Sequence, residues 1–152
     1  MDIGKLISAK NILLPVNGGP GQTQAFNLAC SLAKQSKGKI HAFYVIEVSR
    51  KLPLDAEVPS ETEKGESALS VIETMSKNQK CPLEAELVQA RHAGPTIVRQ
   101  AKNRNIDLIV LSLGHNSTSA DFHLGKTTSH IMQNAHCPVL LWKTTNLESI
   151  PS

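Results

Sequence analysis

Apolar positions along the chain gather into short dense runs, separated by stretches where they recur every three or four residues. The first run, NILLPVN from Asn11 to Asn17, is nearly all apolar and bounded by Gly and Pro, which predicts a strand buried on both faces. GGPG then turns the chain, and Pro20 suits a first helical turn. Ala25, Leu28, Ala29, Leu32 and Ala33 follow at helical spacing until Gly38. KIHAFYVIEV, Lys39 to Val48, is rich in β-branched and aromatic residues and predicts a second strand. The two prolines of RKLPLDAEVPS mark a loop. Ser60 and Glu63 then have capping-box spacing ahead of a helix whose apolar face is Ala68, Val71, Ile72 and Met75. In PLEAELVQA, Leu83, Ala85 and Leu87 alternate imperfectly with Glu84, Glu86 and Gln89, as in a strand at a sheet edge with one face less covered.

The second half repeats the theme. GPTIVRQAKNRN predicts a short helix, and IDLIVLSLG, Ile106 to Gly114, is the most apolar strand and the best candidate for the sheet centre. A loop from Gly114 through Leu124 leads to a helix over Thr127 to Asn134, and CPVLLW, Cys137 to Trp142, forms the last strand. Residues 146–152 read as a frayed tail on one domain spanning 1–145. Strand and helix thus alternate five times. That predicts an α/β fold, an open doubly wound five-stranded parallel sheet with helices on both faces and right-handed crossovers.

Composition narrows the class. A chain of 152 residues can bury about two-thirds of its unfolded surface, so it needs no staples. With three Phe, one Tyr and one Trp, the core must come from Ile, Leu, Val and Ala. Sixteen basic and thirteen acidic residues leave a net charge of +3 that is dispersed rather than gathered into a stripe, which argues against a nucleic-acid partner. No run approaches the ~18 apolar residues of a membrane span, and MDIGKLISAK has neither a long apolar region nor a small-residue cleavage site. A cytoplasmic protein with no membrane partner is expected. Cys30, Cys81 and Cys137 are far apart, with no Cys-x-x-Cys spacing, and read as reduced thiols filling core space.

In an open doubly wound sheet, ligands bind beyond the carboxyl ends of the strands where the winding reverses. The loops there are VNGGPG after the first strand and LGHNSTSADFHLGKTTS after the fourth. Both are rich in Gly and hydroxyl residues, and a helix starting just past Gly125 aims its N-terminus at the same place. ADFHLGKTTS nearly satisfies the pattern of a nucleotide-hydrolase phosphate loop. However, Ala120 stands at the first Gly position, six residues beyond Gly114 where the strand stops, and no clear acidic metal-binding strand follows. The ordinary phosphate loop is therefore not favoured.

The six histidines, His41, His92, His115, His123, His130 and His136, show no metal-ligand spacing and are expected in loops or on the surface, with His115 and His123 flanking the cradle. Ser112, Ser117, Thr118 and Ser119 lack a Gly-x-Ser-x-Gly elbow and an assignable acid–base partner, so no catalytic residue is assigned. Asp107, at the amino end of the fourth strand, lies opposite the crevice and reads as a junction charge.

Three segments, NILLPVNGG, GPTIVRQAKNRNIDLIVLSLG and LGKTTSHIMQNAHCPVLLW, in this order and at these separations resemble the universal stress protein family over nearly the whole chain. The resemblance implies strand order 3-2-1-4-5, an adenine nucleotide hydrolase-like fold, and a homodimer formed through the last strand, Pro138 to Trp142. It also implies a stress-response module with ATP in the crevice between the first and fourth strands. Carried over, Gly114, Ser117, Gly125, Lys126, Thr127 and Thr128 hold phosphates, while Pro15, Val16, Asn17 and Val45 line the base and ribose.

Ser117 departs from the family pattern, standing where its second Gly belongs, and Lys126 replaces a small residue. Asn17 replaces an Asp, and an amide is a poorer metal ligand than a carboxylate, which argues against Mg2+. The Lys126 ammonium can pair with a phosphate in the metal's place. The departures also leave open a dimeric interaction scaffold of the same fold that binds no nucleotide. A slow nucleotide hydrolase is the third reading, without a general base to orient water.

Overall fold

The computed structural model describes residues 9–19, 21–113 and 124–144. Strands β1 (Asn11–Pro15), β2 (Lys39–Glu47), β3 (Leu83–Ala90), β4 (Leu108–Leu113) and β5 (Val139–Lys143) alternate with helices α1 (Gln22–Gln35), α2 (Pro59–Gln79), α3 (Ala93–Asn103) and α4 (Lys126–Asn134). All strand pairs are parallel, in the order β3-β2-β1-β4-β5. The winding reverses between β1 and β4, so their carboxyl ends diverge into a crevice. Pro20, the tail 146–152 and most of the Gly114–Leu124 loop lie outside the described residues.

Because side chains alternate across a strand, the sheet carries two cores. Ile12, Leu14, Ile40, Ala42, Leu108 and Val110 pack on one face beneath α1 and α2. Leu13, Phe43, Ile109 and Leu111 pack on the other beneath Ile97 and Ala101 of α3 and Ile131 of α4. β1, not the more apolar β4, is the central strand. Every interior strand is buried on both faces, so apolar density separates interior from edge but does not rank the interior strands.

Three local expectations are corrected. Helix α2 starts at Pro59, with Val58 as N-cap and no side-chain cap bond, so Ser60 and Glu63 lie inside the helix and form no capping box. Pro59 suits this place because its missing N–H would be unpaired there anyway. Val71 is 51% exposed, and Leu69 joins Ile72 on the buried face instead. That face begins at Gly65, where an added Cβ would stand 2.5 Å from Leu87 Cδ1 and 2.7 Å from Tyr44 Cδ1. The helix therefore rests almost directly on β2 and β3.

His41 is buried, not at the surface. Its Nε2 lies 3.5 Å from Asn11 Oδ1. Its Nδ1 is 3.4 Å from Glu84 Oε2 but too poorly aligned for a hydrogen bond. Burial pulls the imidazole below its ordinary value, against the raising effect of Glu84. Around it, Lys39 Nζ donates to Glu84 Oε1 (2.7 Å), and Arg104 bonds Glu86 and lies 4.9 Å over the Phe43 ring. Asp107 has the junction role read from its position, because its Oδ2 accepts the backbone N–H groups of Lys10 (3.1 Å) and Asn11 (2.9 Å).

Side chains from β3 and its end fasten the β2–α2 loop. Arg91 Nη1 donates to the carbonyls of Val48 (3.3 Å), Ser49 (2.7 Å) and Leu52 (2.9 Å). Gln89 Nε2 donates to those of Leu54 and Ala56. The three thiols are unpaired, with Cys30 and Cys81 buried and Cys137 partly so. Burial, reinforced by Cys30, pushes the Cys81 thiol up to about 12.

Candidate functional site

The first wall of the crevice is the chain leaving β1. Val16 N–H extends the ladder by donating to Phe43 O (2.8 Å), after which the backbone turns through Gly18 at φ +74°. Two side chains fix the turn. Asn17 Oδ1 accepts the Gly19 N–H (2.8 Å), a local turn typical of Asn and Asp. Gln22, buried at the start of α1, accepts the Asn17 N–H at its Oε1 (2.9 Å) and donates from Nε2 to Pro15 O (3.4 Å). Asn17 therefore presents a side chain whose oxygen is already engaged.

The second wall is the start of α4. Gly125 is its N-cap, at φ +84° and ψ 160°, a combination open almost only to Gly. An added Cβ would meet nothing within 4 Å, so glycine is required here by backbone conformation and not by space. The Gly125 carbonyl accepts the Ser129 N–H (3.0 Å), which leaves the first-turn N–H groups at the helix start without intrahelical acceptors. Such groups, with the helix dipole behind them, favour an anion.

Between these walls, on the α3–α4 face, lies a crevice of about 360 Å³, within the range of small-molecule sites. Pro15, Val16, Asn17, Val45, Thr127 and Thr128, all singled out in the sequence, line it together with Ser112. Lys126 is placed elsewhere, in an adjoining recess of about 220 Å³ with Glu47, His92 and His130. Thr127 lines both spaces, so Lys126 flanks the crevice and does not face its floor. Gly114, Ser117, His115 and His123 lie outside the described residues.

Sequence reasoning missed the two carboxylates of the crevice, Glu47 and Glu61. Glu47 follows Val45 by two residues and so shares its face of β2, a signal that was available. Its Oε2 accepts the Ala93 N–H (2.9 Å), which supplies α3 with the N-terminal acceptor that its own N-cap residue, His92, does not. No cluster of three or more His, Cys, Asp or Glu suited to a metal occurs among the described residues.

The family model described as the universal stress protein family matches residues 8–143. The chain belongs to the universal stress protein family. A universal stress protein of Methanocaldococcus jannaschii is 29% identical over 145 residues, spanning 91% of this chain and 85% of that one. Among solved structures, a universal stress protein of Archaeoglobus fulgidus in complex with dAMP matches with a TM-score of 0.70 at 13% identity, covering 86% of this chain and 95% of the other. One from Arabidopsis thaliana with AMP bound matches at 0.66 and 16% identity, covering 94% and 96%.

At these identities the solved structures establish likeness of fold. In this universal stress protein β4 ends at Leu113, far ahead of Gly125, whereas an ordinary phosphate loop leaves its strand directly.

Proposed function

We propose that this universal stress protein binds an adenine nucleotide, ATP included, in the crevice at the carboxyl ends of β1 and β4, and acts as a cytoplasmic regulatory module whose occupancy is read by partners. The observation that carries the reading is convergence. Six residues from three separate stretches of sequence line one crevice at the point where the winding reverses, beside the first turn of α4. The AMP and dAMP complexes of its structural relatives lend support.

In this reading Pro15, Val16 and Val45 border the base and ribose. Gly125, Thr127 and Thr128, with Gly114 and Ser117, hold phosphates. Lys126 reaches the phosphate end from the adjoining recess. Asn17, with its oxygen engaged by Gly19, supports a nucleotide held without Mg2+. The test is calorimetric titration of metabolite-free protein with AMP and ATP, with and without Mg2+. Saturable binding is expected, weakened several-fold by Gly125→Ala. No heat at millimolar nucleotide would leave the scaffold reading, and a melting point unmoved by saturating nucleotide would agree with it.

A further inference from the structure

The α1–α2 face of the sheet carries a cavity of about 700 Å³, roughly twice the volume of the crevice. It is a wedge between the two helices. Gln79 Nε2, at the last residue of α2, ties it to the middle of α1 by donating to Asn27 Oδ1 (2.7 Å), and the helices part toward the carboxyl ends of β1 and β2. The α2 stripe facing the gap leaves it open, because Ser60, Ser67 and Ala68 are small, Ile72 lies at the floor and Val71 stands at the rim. Gly18 and Gly19 keep the opposite wall equally low.

The lining specifies a chemical class. Tyr44, Ala68 and the fully buried Ile72 give an apolar floor, and Val71, half exposed, extends it outward. The hydroxyls of Thr23, Ser60 and Ser67 surround it. Its charged members, Glu63 and Lys64, are adjacent and opposite in sign, and Lys64 Nζ also lies 3.5 Å from Glu61. An anionic ligand would lose hydration there without gaining an unshared countercharge, because Lys64 is already shared with Glu61. An uncharged one loses little, and a volume of this size suits a molecule of drug-like dimensions.

We propose that the α1–α2 wedge is a second ligand site, for an uncharged small molecule with a flat apolar body and hydroxyl or amide substituents. It stands independently of nucleotide binding. Asn17 and Tyr44 line both cavities, so a ligand in one contacts the wall of the other. Any resulting change in affinity must be reciprocal.

The experiment titrates the full chain with PRODAN, an uncharged naphthalene dye, and with ANS, its anionic sulfonate counterpart. PRODAN is expected to bind saturably at one per chain with blue-shifted emission, and ANS at least tenfold more weakly. Ser67→Trp, which fills the wedge from an exposed helical position, should weaken PRODAN at least tenfold. Val71→Glu, which places a charge at the rim, should weaken it several-fold. Thr127→Ala, on the other face of the sheet, should leave it unchanged. Non-saturable PRODAN binding, retention in both wedge variants, loss in Thr127→Ala, or equal affinity for ANS would each overturn the assignment. If Ser67→Trp fails to fold, Val71→Glu decides alone, because Val71 is solvent-exposed and not part of either core cluster.

Discussion

Gly125 and Gly65 show two different physical reasons for the absence of a side chain. Gly125 sits in open space with a backbone conformation that other residues resist, so Gly125→Ala should cost about 1–3 kcal/mol from strain alone. Gly125→Asn should be no better, because ψ 160° lies outside the left-handed helical region that Asn tolerates. Gly65 is helical and unstrained but closely covered, and Gly65→Ala should cost about 1–3 kcal/mol through displacement of the Tyr44 ring. Chemical denaturation checks both. An Asn variant at 125 as stable as the parent would refute the strain argument. The cysteines extend the residue scale. With Cys30 and Cys81 buried and the Cys81 thiol near 12, a thiol reagent at neutral pH should label Cys137 first and the other two only on unfolding. Native labelling of Cys81 at the rate of a free thiol would contradict this. The need for Gly at 125 was legible in the sequence as part of a motif. The need at 65 was not, because it comes from a neighbouring strand.

At the scale of elements, β2, β3 and the end of α3 meet around His41. Its pKa lies below the ordinary 6.5, first through burial and then through Lys39 and Arg104, with Glu84 and Glu86 opposing. The unfolded chain therefore takes up this proton before the folded one. The stabilisation is complete above 6.5 and is lost as pH falls through the lower folded value. Melting temperature should fall as pH drops below 6.5, and His41→Gln should flatten the decline. An equal slope in both proteins would remove His41 as the cause. The elements themselves were legible from spacing, since period two and period 3.6 are properties of the local chain. Which Val or His is buried depends on partners distant in sequence, and that is where Val71 and His41 departed from expectation. The order of the strands came from family resemblance and not from the spacing of any residues.

At the scale of the whole molecule, the two sheet edges differ. The β3 edge bears Glu84 and Glu86, engaged by Lys39 and Arg104. The β5 edge offers Val139, Leu140, Leu141 and Trp142, with Trp142 38% exposed and Met132 of α4 45% exposed. Charged edges discourage strand addition and apolar ones invite it, and on this ground we propose the homodimer through β5 that the family resemblance implies. Sedimentation should show a dimer at micromolar concentration and a monomer for Trp142→Lys, whereas a monomeric parent would end that proposal. The crevice was half legible at this scale. Its walls follow from the loops after β1 and β4, but its carboxylates come from β2 and from α2. The Arg91 clamp, finally, bears on the lifetime of the protein among proteases. Arg50 and Lys51 are exposed trypsin sites, yet the carbonyls on either side are held by one guanidinium, and cleavage requires the local chain to open. Arg91→Ala should hasten the cut roughly tenfold, because cleavage rate follows the population of the open loop.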